Sequence, residues 1–237
     1  MKRISLNITS SEIDQFLELN VPNFFMMMQK IASDDAESFG IGKSETLDKG
    51  LTWIISRIEV DFIKTPSYTQ DVELETYPGD DMKIIFPRYY TMFDKDNNVI
   101  IRASSIWAVL DQKTRMPVAN PFDKSFPSEH HENELPLPSK VKIPDELTLV
   151  ESRKVRYSEI DLNGHLNNTR YMDYMLDVHD SAFYRENHIR HIVINYAHEI
   201  RDGQTVDIYS SKTNPEVIVG KVGEQLIFAT KVTYEKR

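Results

Sequence analysis

Three side chains that could act on a carbonyl stand at alternate positions in Asp161-Leu-Asn163-Gly-His165-Leu-Asn167-Asn168-Thr-Arg-Tyr171. A carboxylate can serve as base, nucleophile or orienter. A carboxamide can donate to a developing oxyanion, and an imidazole can act as a general base near neutral pH. Asn163-Gly164 is a turn dipeptide, and Asn167 or Asn168 carries a side chain suited to capping a helix. The apolar spacing that follows predicts that helix. His165 then stands near the positive end of a helix dipole, whose field favours the neutral ring that a base or hydrogen-bonding orienter requires. A plain polar loop with a surface histidine would need the same residue types. The combination of Asp, Asn and His ahead of a double Asn and an amphipathic helix favours chemistry.

The helix is expected over about 169–186, with Tyr171, Met172, Met175, Leu176, His179, Ala182 and Phe183 on one face. A second apolar spacing predicts a helix from Asn23 to about Phe39, through Phe24, Phe25, Met27, Met28, Ile31 and Ala32. Each helix is followed by long runs rich in β-branched and aromatic residues, such as 51–64 and 99–111. The runs repeat. Gln70-Asp-Val-Glu-Leu74 is answered 134 residues later by Gln204-Thr-Val-Asp-Ile208. Phe62-Ile-Lys64 has a counterpart in Glu199-Ile-Arg201, and Ile101-Arg-Ala-Ser104 is answered 126 residues later by Ile227-Phe-Ala-Thr230. The offset shrinks because Asp94–Asn98 makes a long turn where Val222-Gly-Glu224 makes a tight one.

A repeat of this length is too long for a solenoid and implies duplication of a helix-plus-antiparallel-sheet module. A long twisted sheet with one apolar face curls around whatever covers it, and one helix with a wide apolar stripe can fill it. That is an α+β hot-dog module, and two in tandem make a double hot dog. Six of the 11 prolines fall between Met116 and Glu146, which reads as an extended linker. The expected organisation is a module over 1–115, a linker over 116–149 and a second module over 150–237.

Composition narrows the chemistry. The 237 residues contain no cysteine, so there is no disulfide, thiolate metal site or cysteine nucleophile. The formal charge of −9 argues against non-specific binding to nucleic acid. No apolar run approaches the ~20 residues that span a bilayer. The start, MKRISLNITS, has no apolar core of a secretory signal, so a cytoplasmic protein is expected and the Asn7 and Asn167 sequons carry no meaning. His188, His191 and the pair His130-His131 do not space as metal ligands, and none of the 8 glycines builds a phosphate loop. Neither metal nor organic cofactor is expected.

The loop closely resembles the D-x-N-x-H-[VL]-N-N-x-x-Y motif of the acyl-acyl carrier protein thioesterases, the fatty-acyl hydrolases of bacteria and plastids. Leu51-Thr-Trp53-Ile-Ile-Ser-Arg57-Ile-Glu-Val60 and Arg102-Ala-Ser-Ser-Ile-Trp107 resemble two further strands of that family, so the likeness covers nearly the whole chain. It implies a double hot dog, in agreement with the repeat. It also implies a fourth site residue, Glu199, from the stretch Tyr196-Ala-His198-Glu199-Ile200, matched to a strand of pattern Y-x-x-E-C. The cysteine of that pattern is Ile200 here, so a Cys-His-Asn mechanism cannot operate. Strand alternation would turn His198 away from Glu199, as a structural residue.

The implied reaction is hydrolysis of a fatty-acyl thioester on acyl carrier protein. His165 and Glu199 would polarise or deprotonate water, with Asn163 and a backbone amide near the helix start facing the oxyanion. Asp161 would orient Asn163 or His165, or attack the carbonyl itself. By the same resemblance the first module holds the acyl chain, with Phe24, Phe25, Met27, Met28 and Trp53 as candidate lining. An acidic carrier is repelled by a chain at −9 unless a local basic patch exists, and Arg153, Lys154 and Arg156 are the candidate patch. Rival readings are an acyl-CoA thioesterase or hydroxyacyl dehydratase of the same fold, which also uses His plus a carboxylate, and a non-catalytic acyl or carrier-protein binder. Single hot dogs usually pair, and a fused pair either satisfies that need internally or pairs again as a homodimer; the sequence leaves both open.

Overall fold

The computed structural model describes residues 1–122, 127–132 and 134–237. Positions 123–126 and 133 of the proline-rich stretch lie outside the described residues. The chain divides into two compact units, Met1–Pro138 and Ser139–Arg237. The proline-rich stretch is shared between them. Pro117–Val118 adds a short strand to the first unit and Phe122 is buried there, while Val141 is buried in the second.

The first unit contains β1 (Lys2–Asn7), α1 (Val21–Ser38), α2 (Lys43–Asp48), β2 (Leu51–Phe62), β3 (Asp71–Pro78), β4 (Phe86–Asp94), β5 (Val99–Asp111) and β6 (Pro117–Val118). Its strands are antiparallel in the order β1-β3-β4-β5-β2, with β6 on the end of β5. Asn20 starts α1 by accepting from the Asn23 N–H at 2.9 Å, and Pro22 sits in the first turn, where its missing donor costs nothing. The face of α1 that carries Phe24, Phe25, Met28, Ile31 and Ala32 is buried. Phe24 meets Phe62 of β2 edge to face at 5.7 Å. Met27 is half-buried. Beyond the end of α1, Ile41, Leu51, Phe86, Val109 and Phe122 form a cluster that includes Trp53. The Trp53 ring stacks on Phe122, meets Phe86 edge to face, and donates Nε1–H to the Ile41 carbonyl at 2.7 Å.

The second unit contains β7 (Thr148–Lys154), a 3₁₀ turn (Tyr157–Glu159), α3 (Arg170–Leu176), α4 (Ser181–Glu186), β8 (Asn187–Tyr196), β9 (Thr205–Ser210), β10 (Glu216–Val222) and β11 (Gln225–Lys236). Its order is β7-β9-β10-β11-β8, again antiparallel throughout. Strand for strand this is the order of the first unit, so the repeat legible in the sequence is a repeat of topology: β3 answers β9 and β5 answers β11. The chain is an α+β double hot dog.

The second copy departs from expectation in its helix. A single helix over 169–186 is replaced by α3, of 7 residues, and α4, of 6. The break has two causes. Asp180 takes an extended backbone and caps α4 by accepting from the Phe183 N–H at 3.0 Å. His179, in the gap, stacks on Phe183 and reaches the buried carboxylate of Glu216 in β10 at 2.7 Å. A continuous helix would forfeit both.

Candidate functional site

The segment 159–168 is tied at both ends before any candidate side chain is considered. Ile160 and Leu166 pair as an isolated bridge, the Asp161 N–H donates to the His165 carbonyl at 2.8 Å, and the Gly164 N–H donates to the Asp161 carbonyl at 3.0 Å. The turn so closed requires φ +79° at Gly164, a left-handed conformation that glycine adopts without a Cβ penalty. The Asp161 carboxylate fixes the turn from inside. Its Oδ1 accepts from the Asn163 N–H at 2.8 Å and the His165 N–H at 3.3 Å, and its Oδ2 accepts from Asn163 Nδ2 at 3.3 Å. Asn167 Oδ1 accepts from both the amide and the hydroxyl of Thr169 at 3.0 Å; Thr169, not Asn167 or Asn168, is the N-cap of α3, and it makes no side-chain cap bond.

A second segment delivers Glu199. It lies just past the end of β8, in an extended connection rather than within a strand. The N–H groups of Ala197 and His198 donate to the Ile227 carbonyl of β11 at 2.8 and 3.2 Å, which holds the connection against the sheet. His198 is exposed and sets its Nδ1 2.8 Å from the Leu226 carbonyl. Ile200 is fully buried and accepts from the Leu166 N–H at 2.8 Å. That last bond joins the two segments, one residue on from each side chain of interest. His165 Nε2 consequently lies 3.2 Å from Glu199 Oε2, with the imidazole 17% and the carboxylate 41% exposed.

The contact assigns a tautomer. An ionised carboxylate only accepts, so the Nε2 facing it carries the proton, and a neutral ring then has its basic lone pair on Nδ1. Beneath the site, Tyr171 meets Tyr196 and Phe228 edge to face at 5.2 Å each, and the Tyr196 hydroxyl donates to the Asn168 carbonyl at 3.1 Å. Burial, and then Tyr174 and the negative charges of Glu199 and Asp161, push the Tyr171 phenol up, so it stays neutral. Burial does the same to Tyr196.

The structure thus brings His165 and Glu199 together and sets Asp161 and Asn163 in the same turn. It also shows a residue that spacing did not single out. Glu159 is buried; its Oε2 accepts from the Arg156 N–H at 2.7 Å and the Tyr174 hydroxyl at 3.3 Å, and its Oε1 lies 3.4 Å from Arg153. Its carbonyl accepts from the Asn167 N–H at 2.9 Å, so Glu159 anchors the base of the loop. The signal in the sequence was an acid three residues after the start of a turn, the spacing of a capping box. Arg153 is held by Asp177 at 2.5 Å and lies over the Tyr174 ring, whereas Lys154 and Arg156 are exposed. Among the described residues, no three His, Asp or Glu side chains gather at metal-ligating distance, and no helix is long and apolar enough to cross a membrane.

Two family models match the chain: the acyl-ACP thioesterase N-terminal domain over residues 3–123 and the acyl-ACP thioesterase C-terminal domain over residues 144–235. Among curated proteins, the chain is 24% identical over 217 residues to oleoyl-acyl carrier protein thioesterase 2, chloroplastic, of Arabidopsis thaliana, covering 83% of this chain and 59% of that protein. It is 21% identical over 216 residues to acyl-[acyl-carrier-protein] hydrolase FATB3, chloroplastic, of Cuphea viscosissima, covering 84% of this chain and 52% of that one. The chain therefore spans between half and three-fifths of the length of these relatives. Two solved structures share its fold. An acyl-ACP thioesterase from Bacteroides thetaiotaomicron superposes with a TM-score of 0.86 at 22% identity, over 99% of this chain and 97% of that chain. The 12:0-ACP thioesterase from Umbellularia californica superposes with a TM-score of 0.83 at 17% identity, over 100% and 97%. With both halves matched in order across nearly all of its length, the chain belongs to the acyl-ACP thioesterase family.

Proposed function

We propose that the protein hydrolyses fatty-acyl thioesters of acyl carrier protein to the free acid and the carrier thiol. The observation that carries the reading is the contact between His165 and Glu199, made on a loop whose residues match the family's polar motif. Glu199 holds the imidazole through Nε2–H, and Nδ1 takes a proton from water as the water attacks the carbonyl. Positioned base catalysis of this kind supplies ~10²–10⁴ in rate. The carbonyl oxygen becomes an oxyanion, faced by the Asn163 amide; one such donor is worth about 3 kcal/mol. The hydrogen bonds that Asp161 accepts from Asn163 and His165 favour an orienting role over direct attack.

The acyl chain lies in the first unit, along the face of α1 that presents Phe24, Phe25, Met27 and Met28. Each methylene taken out of water contributes about 0.8 kcal/mol. Trp53 belongs to the aromatic cluster beyond that face. The carrier approaches the basic side chains near the catalytic loop, Lys154 and Arg156 foremost. Mass spectrometry of the products of a palmitoyl carrier-protein reaction tests the proposal. Free acid and carrier thiol are expected. With a 3-hydroxyacyl carrier substrate, an enoyl thioester with no acid released would instead establish a dehydratase.

A further inference from the structure

The gap between α3 and α4 encloses a titratable pair that the reaction at His165 does not use. Glu216 of β10 is 1% exposed. Its Oε1 accepts from the hydroxyl of Ser210 on β9, itself fully buried, and that hydroxyl accepts in turn from the Lys212 N–H at 2.8 Å. Its Oε2 lies 2.7 Å from His179 Nε2. A buried carboxylate is costly unless donors and a countercharge meet it, and His179 is the group in contact that can bring the charge. The imidazole stacks on Phe183 of α4 at 3.7 Å and meets Tyr234 of β11 edge to face at 5.6 Å.

The other polar groups around the ring already have work. Asp177, at the end of α3, pairs with Arg153 of β7, and Asp180 caps α4. The Tyr184 hydroxyl donates to the Leu176 carbonyl at 2.9 Å. Burial above all pushes the Tyr184 and Tyr234 phenols up, so both stay neutral. An imidazole is the side chain whose charge ordinarily changes between about pH 5 and 8. With its proton, His179 forms an ion pair with Glu216; without it, Glu216 keeps hydrogen bonds alone.

The short helix α3 connects this pair to the site. Tyr171 packs on Tyr196, whose hydroxyl holds the Asn168 carbonyl. Tyr174 donates to Glu159 Oε2 at 3.3 Å, and the Glu159 carbonyl accepts from the Asn167 N–H. At the other end of α3 the His179 N–H donates to the Leu176 carbonyl at 3.2 Å, while its ring ties that end to β10. We propose that His179 is a positioning residue: its ion pair with Glu216 fixes the end of α3 and, through Tyr171 and Tyr174, the loop that carries His165. The inference rests on the reading of His165 as the base. Raising the pH frees the His165 ring to act as base but withdraws the proton that anchors α3, so the two histidines oppose one another in the pH profile.

The test compares wild type with His179→Gln, which keeps a donor for Glu216 and carries no charge at any pH. Two pH values are used, one well below and one well above the titration of the His179 ring, which its NMR signal locates. Thiol release from a palmitoyl carrier thioester and hydrogen exchange of the Asn167 and Gly164 N–H groups are measured at both. At the lower pH the variant should lose about 5-fold or more in kcat with KM little changed, and the two amides should exchange faster by a similar factor. At the higher pH, where wild type has lost the same charge, the two proteins should agree in both measurements. A difference that is the same at both pH values, or none at either, overturns the proposal. Should His179→Gln fail to melt cooperatively, Glu216→Gln is read in the same way. Absence of thiol release by wild type at both pH values would overturn the hydrolase reading instead, while amide exchange still judges the role of His179.

Discussion

Glu199 meets His165 at Nε2, 3.2 Å away, so the two residues should fail differently when changed. Glu199→Gln can still hold the ring by a hydrogen bond but no longer stabilises the imidazolium that forms; kcat should fall about 10-fold or more with KM little changed, measured by thiol release. Asp161 is a second point of decision. Single turnover in heavy-oxygen water should place label in the released acid and none in the peptide bearing Asp161, since that carboxylate is engaged by Asn163 and His165. Label in Asp161 would establish an anhydride route. Asp161, Asn163 and His165 were legible from spacing alone, because one tight turn places them. Glu199 was not: it is 34 residues beyond His165, and only the family resemblance connected the two. Glu159 carries the spacing of a capping box, but that pattern says nothing of burial until its donors, Arg153 of β7, the Arg156 N–H at the 3₁₀ turn and Tyr174 of α3, are in place.

The elements carry their own predictions. Gly164→Ala forces a Cβ into a left-handed turn, which costs roughly 1–2 kcal/mol. The loss should appear as a lower midpoint in urea, with kcat reduced because the turn sets His165. Phe24→Ala opens a cavity between α1 and β2 and should destabilise by about 3–5 kcal/mol. The first helix was readable because its cap, proline and apolar stripe all agree. The second was misread as one helix because its stripe continues through the break. What interrupts it is His179 reaching Glu216, 37 residues away, a contact that local periodicity does not contain. His198 shows a related limit. Alternation along a strand does not apply to it, because the chain leaves β8 at Tyr196.

At the scale of the whole molecule, the duplication was visible because the matching strands keep their order, and both units realise it in the same sheet topology. The charge distribution is harder to read from a sequence. Of the three basic residues near the loop, Arg153 is consumed by Asp177, Glu159 and Tyr174, which leaves Lys154 and Arg156 exposed and the docking proposal resting on these two alone. Lys154→Ser with Arg156→Ser should raise KM severalfold for carrier-bound substrate and leave a small thioester unaffected; equal effects on both would argue against docking there. The proline-rich stretch also carries a pH-dependent tie. Asp80 accepts from His130 and, with Glu134, raises the imidazole above its ordinary value. A raised histidine contributes its ion pair below its ordinary pKa and loses it as pH rises through the elevated one. An NMR titration should show Asp80→Asn returning His130 towards 6.5.

The most direct test of the central claim is thiol release from carrier thioesters of C8 to C18 by wild type and His165→Ala side by side. The account predicts turnover on at least one chain length, reduced a hundredfold or more by the substitution. Turnover that survives in His165→Ala would contradict the assigned base, and no turnover by wild type at any length would contradict the hydrolase itself.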